Sequence, residues 1–447
     1  MQSSSQRHFL SLLFLLLIIA PSYFSFPLGH NNPEERPVLD HHHHQTYTGH
    51  NISRKTSRRE LITARASAKV VYNVHDFGAK ANGGDDTKAF RKAWKKACSN
   101  SRARTVELVV PKNRNYHLKP ITFSGPCKSH VTFKIYGTIK ASPIRSDYKR
   151  DRRHWITFEN LQNFRVEGGG TGIINGNGRK WWENSCKVNK SLPCTSAPTA
   201  VTFYECKNLE VANLRFRNAQ KMHLSFQKCV LVKVFNLIIT APANSPNTDG
   251  IHVTDTKYIS INSCQIRTGD DCISIVSGSR NVQASDITCG PGHGISIGSL
   301  GSGNSEAQVS DVVVTRAKLI GTTNGLRIKT WQGGSGYAKN IRFQNVLLHN
   351  VTNPIIIDQH YCDQKKPCKD QASAVRISGV VYRNVRGTSA SEVAVKFDCS
   401  ERFGCRKILV QDVNIVPLND EGIATASCQN VGVSHRGIVS PKCSSTN

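Results

Sequence analysis

From residue 200 onward, short runs of alternating apolar and polar positions recur along the chain. The phrases N-L-E-V-A-N-L at 208, V-K-V-F-N-L at 232, Y-I-S-I-N-S at 258 and N-V-Q-A-S-D-I at 281 share an apolar-x-apolar core. D-V-V-V at 311, N-I-R-F-Q-N-V at 340, V-V-Y-R-N-V at 380 and K-I-L-V-Q-D-V at 407 repeat it. The leading apolar residues are Leu209, Val232, Ile259, Val282, Val312, Ile341, Val380 and Ile408, at steps of 23, 27, 23, 30, 29, 39 and 28 residues. Short β-branched strands at such a period, with Asn and Gly at the turns and no helical pattern between them, predict an all-β fold: a right-handed parallel β-helix. A propeller or sandwich would want longer strands and hairpin dipeptides, and leucine-rich repeats a tighter period with fixed leucines.

Before the repeat, Val70 to Val74 alternate as a strand, and Val106 to Val110 form another, stopped by Pro111. Between them, Asp85-Asp86-Thr87 offers helix caps, and Phe90, Ala93, Trp94 and Ala97 share one helical face. A single short N-terminal helix in a strand-rich chain predicts a cap over the end of the core. Further upstream, Arg7 and His8 precede an apolar run from Phe9 to Ala20, too short for the roughly 20 residues that span a bilayer. Residues 1–25 therefore read as a secretory signal. Residues 26–68 are polar, with His41–His44 and the basic tract Arg54, Lys55, Arg58, Arg59, and read as a leader or pro-segment. The β-helix domain is expected to occupy residues 69–447.

Charge changes the picture next. The chain has 59 Lys and Arg against 31 Asp and Glu, a formal net charge of +28. Such a surface attracts polyanions, whether nucleic acid, anionic lipid or acidic polysaccharide. Secretion removes nucleic acid as a partner and makes the 15 cysteines a disulfide framework. Short separations pair Cys186 with Cys194, Cys272 with Cys289, Cys362 with Cys368, Cys399 with Cys405 and Cys428 with Cys443, and Cys98 with Cys127 makes a longer bridge. Cys206, Cys229 and Cys264 sit in apolar contexts that suit buried thiols. No paired C-x-x-C favours zinc. Sequons at Asn51, Asn189 and Asn350 are glycosylation candidates.

Candidate chemistry concentrates in one stretch. N-T-D-G at 247, G-D-D-C at 269 and G-H-G at 292 place Asp249, Asp270, Asp271 and His293 within forty-seven residues. Asp249 and Asp270 are 21 residues apart, and Asp271 and His293 are 22 apart, about one coil of the predicted fold. Residues one coil apart lie on neighbouring rungs about 4.8 Å apart, so these groups should stack as one patch. Adjacent Asp270 and Asp271 reach the same side only at a bend, which Gly269 should permit. Turn chemistry alone accounts for any one of these motifs, though less readily for three at one register. Clustered carboxylates repel, so at least one should keep a proton near working pH. One protonated and one ionised carboxyl beside a glycosidic bond act as general acid and general base. Calcium is the competing use of such oxygens, yet His293, Arg327 and Lys329 disfavour a divalent ion and suit a carboxylated substrate. Tyr361 is a candidate sugar platform or a packing residue.

These motifs, with G-H-G-I-S-I-G-S at 292 and R-I-K at 327, resemble the four signatures of the polygalacturonases, the pectin-cleaving glycoside hydrolases. They stand in order and unbroken. D-F-G-A-K at 76 and the closing cysteine pairs resemble the plant branch, and the resemblance covers about residues 70–443. It implies a right-handed parallel β-helix, a monomeric secreted enzyme of the cell wall, and hydrolysis of α-1,4-galacturonan (de-esterified pectin) with inversion and no metal or cofactor. It implies that Asp270 is the general acid, that Asp249 and Asp271 activate water, and that His293 tunes the acid's proton. It further implies that Asn247, Arg327, Lys329 and Tyr361 bind substrate, and that Cys272–Cys289 braces the loop beneath the site. Rhamnogalacturonan-cleaving relatives differ at R-I-K, so Arg327 argues for plain galacturonan. The absence of a large insertion near the site favours endo attack. A calcium-dependent lyase on the same scaffold and a silent pectin-binding protein are the rival classes.

Overall fold

A computed structural model describes residues 69–444, except 365–366 and 420–421. The signal and leader segments, the His41–His44 run and Asn51 lie outside the described residues. Almost every described strand belongs to one of two long parallel sheets, of 20 and 11 strands. The chain winds between them as a right-handed parallel β-helix. The eight leading positions read from the sequence stack one upon the next, from Leu209 through Val232, Ile259, Val282, Val312, Ile341 and Val380 to Ile408. Coiling also extends ahead of residue 200, where Val106 pairs with Val131, Phe133 with Val166 and Phe164 with Leu209.

Local chemistry sets the corners. The residue just before a leading position takes a left-handed conformation at coil after coil: Asn163, Asn208, Asn281, Asp311, Asn340 and Gly379 all have positive φ. Asn and Asp tolerate this region because their short side chains bond locally, and Gly has no Cβ to clash. The corner amides also bond to one another between rungs, as from Asn208 to Asn163 at 2.6 Å and from Asn236 to Asn213 at 3.1 Å.

Inward side chains form one continuous apolar core. The rings of Phe158, Phe203 and Phe226 stack along the axis, with centroids 5.0 and 5.3 Å apart and planes within 13°. Truncating the middle ring removes contacts on both sides. Phe203→Ala is therefore expected to lower stability by about 3–5 kcal/mol, measured by thermal or denaturant unfolding. A cost below about 1 kcal/mol would show that the column is not a packed core.

The helix Thr87–Cys98 closes the N-terminal end of this core. Phe90, Ala93, Trp94 and Ala97 are buried, and the Trp94 ring lies 5.1 Å from Phe123 and 5.7 Å from Phe164. Its start departs from the expected capping. Asp86 sits at the cap position without bonding the helix, and accepts instead from the Lys80 amide at 2.7 Å, while Asp85 accepts from the Thr87 amide at 2.9 Å. All six cysteine pairs are bonded, including Cys98–Cys127, which ties the helix end to the next coil. Cys206, Cys229 and Cys264 are buried thiols.

Candidate active site

The outward face of the 11-stranded sheet carries the site. The strands Ile251–Thr254, Ile273–Ile275, Ile295–Leu300 and Asn324–Thr330 are neighbours in it, with Ile251, Ile273, Ile295 and Leu326 in register and pointing inward. Two residues before each of these lie Asp249, Asp271 and His293, so the coil step runs Asp249–Asp271–His293 at 22 residues each. Asp270 stands one residue further out. The spacing argument had matched Asp249 with Asp270, but the register places it opposite Asp271. Gly269 also has a different reason from the one expected. Its φ is not in the left-handed region; instead a Cβ there would lie 2.1 Å from the Ser245 carbonyl oxygen, so only glycine fits. Gly294, with φ of 83°, does need the left-handed region, and a Cβ on it would meet the Asn324 carbonyl.

Each acid has different neighbours. Asp249 is buried, and its Oδ2 accepts from the Ser274 hydroxyl at 2.7 Å. Burial, then the charges of Asp270 and Asp271, push its carboxyl up to about 7 against the Ser274 bond and Lys329. Burial also pushes Asp270 upward, but the His293 bond and charge, the Asp271 amide and Lys329 outweigh it and hold this carboxyl at about 2. His293 Nδ1 lies 3.1 Å from Asp270 Oδ1, and that bond raises the imidazole above its usual value. The Asn247 amide donates to the other Asp270 oxygen at 3.3 Å. Asp271 is buried between two cations, with Arg327 2.7 Å from Oδ1 and Lys329 3.1 Å from Oδ2. Lys329 also lies over the Tyr361 ring at 5.2 Å, and Trp331 meets that ring edge-on.

All eight sequence candidates line one cleft of about 920 Å³. Sequence reasoning missed its supporting hydroxyls. Ser296 donates to Asp271 at 2.7 Å and accepts from Arg327 Nε at 2.9 Å, while His252 bonds the Ser274 hydroxyl at 2.8 Å. Burial depresses His252 to about 4, so it stays neutral. The signal was present as the repeated I-S-I at 273–275 and 295–297, a small polar residue between two inward isoleucines beside the acids. Lys187 and Asp363 meet at 2.6 Å at the cleft, joining the loop stapled by Cys186–Cys194 to the loop stapled by Cys362–Cys368. Both partners are exposed, and such a pair contributes at most about 1 kcal/mol.

Asp270, Asp271 and His293 lie close enough together to hold a metal ion. However, both oxygens of Asp271 already face cations, and the raised imidazole favours a proton. The donor set suits an anionic sugar better than a divalent ion.

A family model described as Glycosyl hydrolases family 28 matches residues 98–438. Polygalacturonase QRT2 of Arabidopsis thaliana is 56% identical over 434 residues, covering 96% of this chain and 98% of its own. Polygalacturonase-2 of Solanum lycopersicum is 55% identical over 406 residues, covering 90% and 87%. A crystal structure of an exopolygalacturonase from Thermotoga maritima superposes with a TM-score of 0.66 at 21% identity, covering 84% of this chain and 94% of its own. That last likeness speaks for the fold alone.

Proposed function

Since the chain belongs to glycosyl hydrolases family 28, we infer that it is a polygalacturonase: it hydrolyses the α-1,4 bonds of de-esterified pectin with inversion, attacking within the polymer. The observation that carries this reading is the stack of Asp249, Asp271 and His293 with Asp270 one step outward, in a cleft whose far wall holds Arg327 and Lys329. A galacturonate carboxylate suits those two cations, and drawing them toward it loosens their hold on Asp271. The substrate's negative charge also raises the proton affinity of Asp270. The proton held on His293 then moves from Nδ1 to Asp270 Oδ1, across 3.1 Å.

Asp270 gives that proton to the glycosidic oxygen as the bond from the anomeric carbon to that oxygen breaks. Water attacks the opposite face of the sugar, and its proton passes to the Asp271 and Asp249 pair. Ser296 and Ser274 keep those carboxylates aimed. Asn247 fixes Asp270, and Tyr361 offers a ring face beside Lys329.

The six disulfides and the exposed sequons at Asn189 and Asn350 fit a secreted, extracellular enzyme acting at the cell wall as a monomer. Residues 1–25 serve as the signal and 69–447 as the catalytic domain on this reading. Chromatography of early products from polygalacturonate in excess chelator tests it: saturated oligomers of mixed length are expected. Monomer alone would make the enzyme exo-acting. Unsaturated products that vanish with the chelator would make it a calcium-dependent lyase.

A further inference from the structure

The net charge of this protein is not spread evenly. Residues 87–153 hold 18 Lys and Arg against three Asp and Glu, so this seventh of the chain carries +15 of the +28. They form the capping helix and the first coils. On the helix Thr87–Cys98, the cations Lys88, Arg91, Lys92, Lys95 and Lys96 are all exposed. Lys88, Arg91, Lys92 and Lys95 fall at i, i+3, i+4 and i+7, one continuous stripe. The helix contains no acid, and none of its five cations forms an ion pair among the described residues. Pairs such as Lys88 with Lys92 and Arg91 with Lys95 are like charges at i,i+4, each destabilising by a few tenths of a kcal/mol. Lys88 in the first turn also opposes the helix dipole. Nothing in the fold offsets these costs, which a polyanion lying along the stripe would reverse.

A second observation says what that polyanion is. The cleft does not end at His252. Lys221, Met222 and His252 wall both the catalytic cleft and an adjoining hollow of about 580 Å³. Thr122, Asp151, His154 and Thr157 wall both that hollow and a third of about 800 Å³, whose far rim is Lys88 and Arg91. The floor is one register column of the 11-stranded sheet, running Thr122, Thr157, Thr202, Ser225, His252, Ser274, Ser296 and Arg327. Seven rung steps make it about 34 Å long. Lys149, Arg150, Arg152 and Arg153 stand exposed on the segment that borders its far end.

We propose that the basic stripe of the capping helix is a second binding site for the substrate polymer, an acidic polysaccharide carrying repeated carboxylates, which enters the cleft along this groove. The proposal rests on the polygalacturonase reading for the identity of the polymer. A membrane surface would explain the stripe but not the groove that joins it to Asp270.

The test substitutes Lys88, Arg91, Lys92 and Lys95 together by Gln, a good helix former. Rates are measured on polygalacturonate and on trigalacturonate. At low salt, KM for the polymer is expected to rise about tenfold with kcat unchanged, while the trimer kinetics stay the same. By 1 M salt, where the screening length is about 3 Å, the difference should vanish. An unchanged polymer KM at low salt overturns the proposal, as does an equal rise for the trimer. Loss of binding to vesicles of anionic phospholipid without any change on the polymer assigns the stripe to membranes and also overturns it. Should the native enzyme cleave neither substrate, the hydrolase reading fails instead. Retardation on a polygalacturonate gel, lost in the quadruple variant, then still decides the stripe.

Discussion

Asp270→Asn is expected to lower kcat on polygalacturonate by about 10³-fold or more while the protein stays folded and keeps its grip on the polymer. A general acid contributes about 10²–10⁴ to such a reaction, and an amide has no proton to give an alkoxide leaving group. The geometry explains why the fold survives. Asp270 Oδ1 accepts from the Asp271 amide at 2.8 Å, and an asparagine oxygen can accept that bond unchanged. The substitution also removes one negative charge beside the proposed site of a polyanion, so KM should hold or fall. Without its carboxylate partner, His293 loses the main cause of its raised affinity for a proton and should titrate nearer its ordinary value. Reducing-end assays, unfolding curves and retardation on polygalacturonate gels measure the three outcomes. Turnover within tenfold of the native enzyme would end the acid assignment, because His293 alone would then suffice.

The coils after residue 200 were legible because each offers the same cue, a β-branched apolar pair behind a corner that takes a left-handed conformation. Their register followed from counting. Earlier coils were not legible. Val106 to Val131 is 25 residues, Phe133 to Val166 is 33 and Phe164 to Leu209 is 45, the last step containing the loop stapled by Cys186–Cys194. A period that varies that widely carries no signal. At the site, residue types were readable but partners were not. Arg327 and Lys329 read as substrate cations, yet in the free protein they neutralise Asp271. Gly269 read as a flexible bend and proved to be a close approach to Ser245. Each of these depends on which backbone lies across the rung, which spacing along one chain does not encode.

The electrostatics of Asp249 lead to a second large effect, of opposite sign for activity and stability. Burial and two neighbouring carboxylates push its pKa up to about 7 in the folded protein, against about 3.9 for an unfolded aspartate. Between pH 4 and 7 the unfolded chain has released this proton while the folded chain still holds it. Stability therefore falls as pH rises through that window and levels off above the folded pKa. Three pKa units at 1.36 kcal/mol each bound the loss at roughly 4 kcal/mol, a ceiling because the three carboxylates titrate together. Asp249→Asn carries no such charge and can still accept the Ser274 hydroxyl. Its unfolding temperature should match or trail the native value near pH 4.5 and exceed it by several degrees at pH 7, while kcat falls at least about 10²-fold for want of a partner to Asp271. Calorimetry of both proteins from pH 4.5 to 7.5 reads the difference directly, since every other titrating group is common to the pair. Parallel curves would show that Asp249 is no less ionised in the fold than in the open chain. A gap that widens with pH would locate, in one carboxylate, stability given up to hold three acids around a sugar linkage.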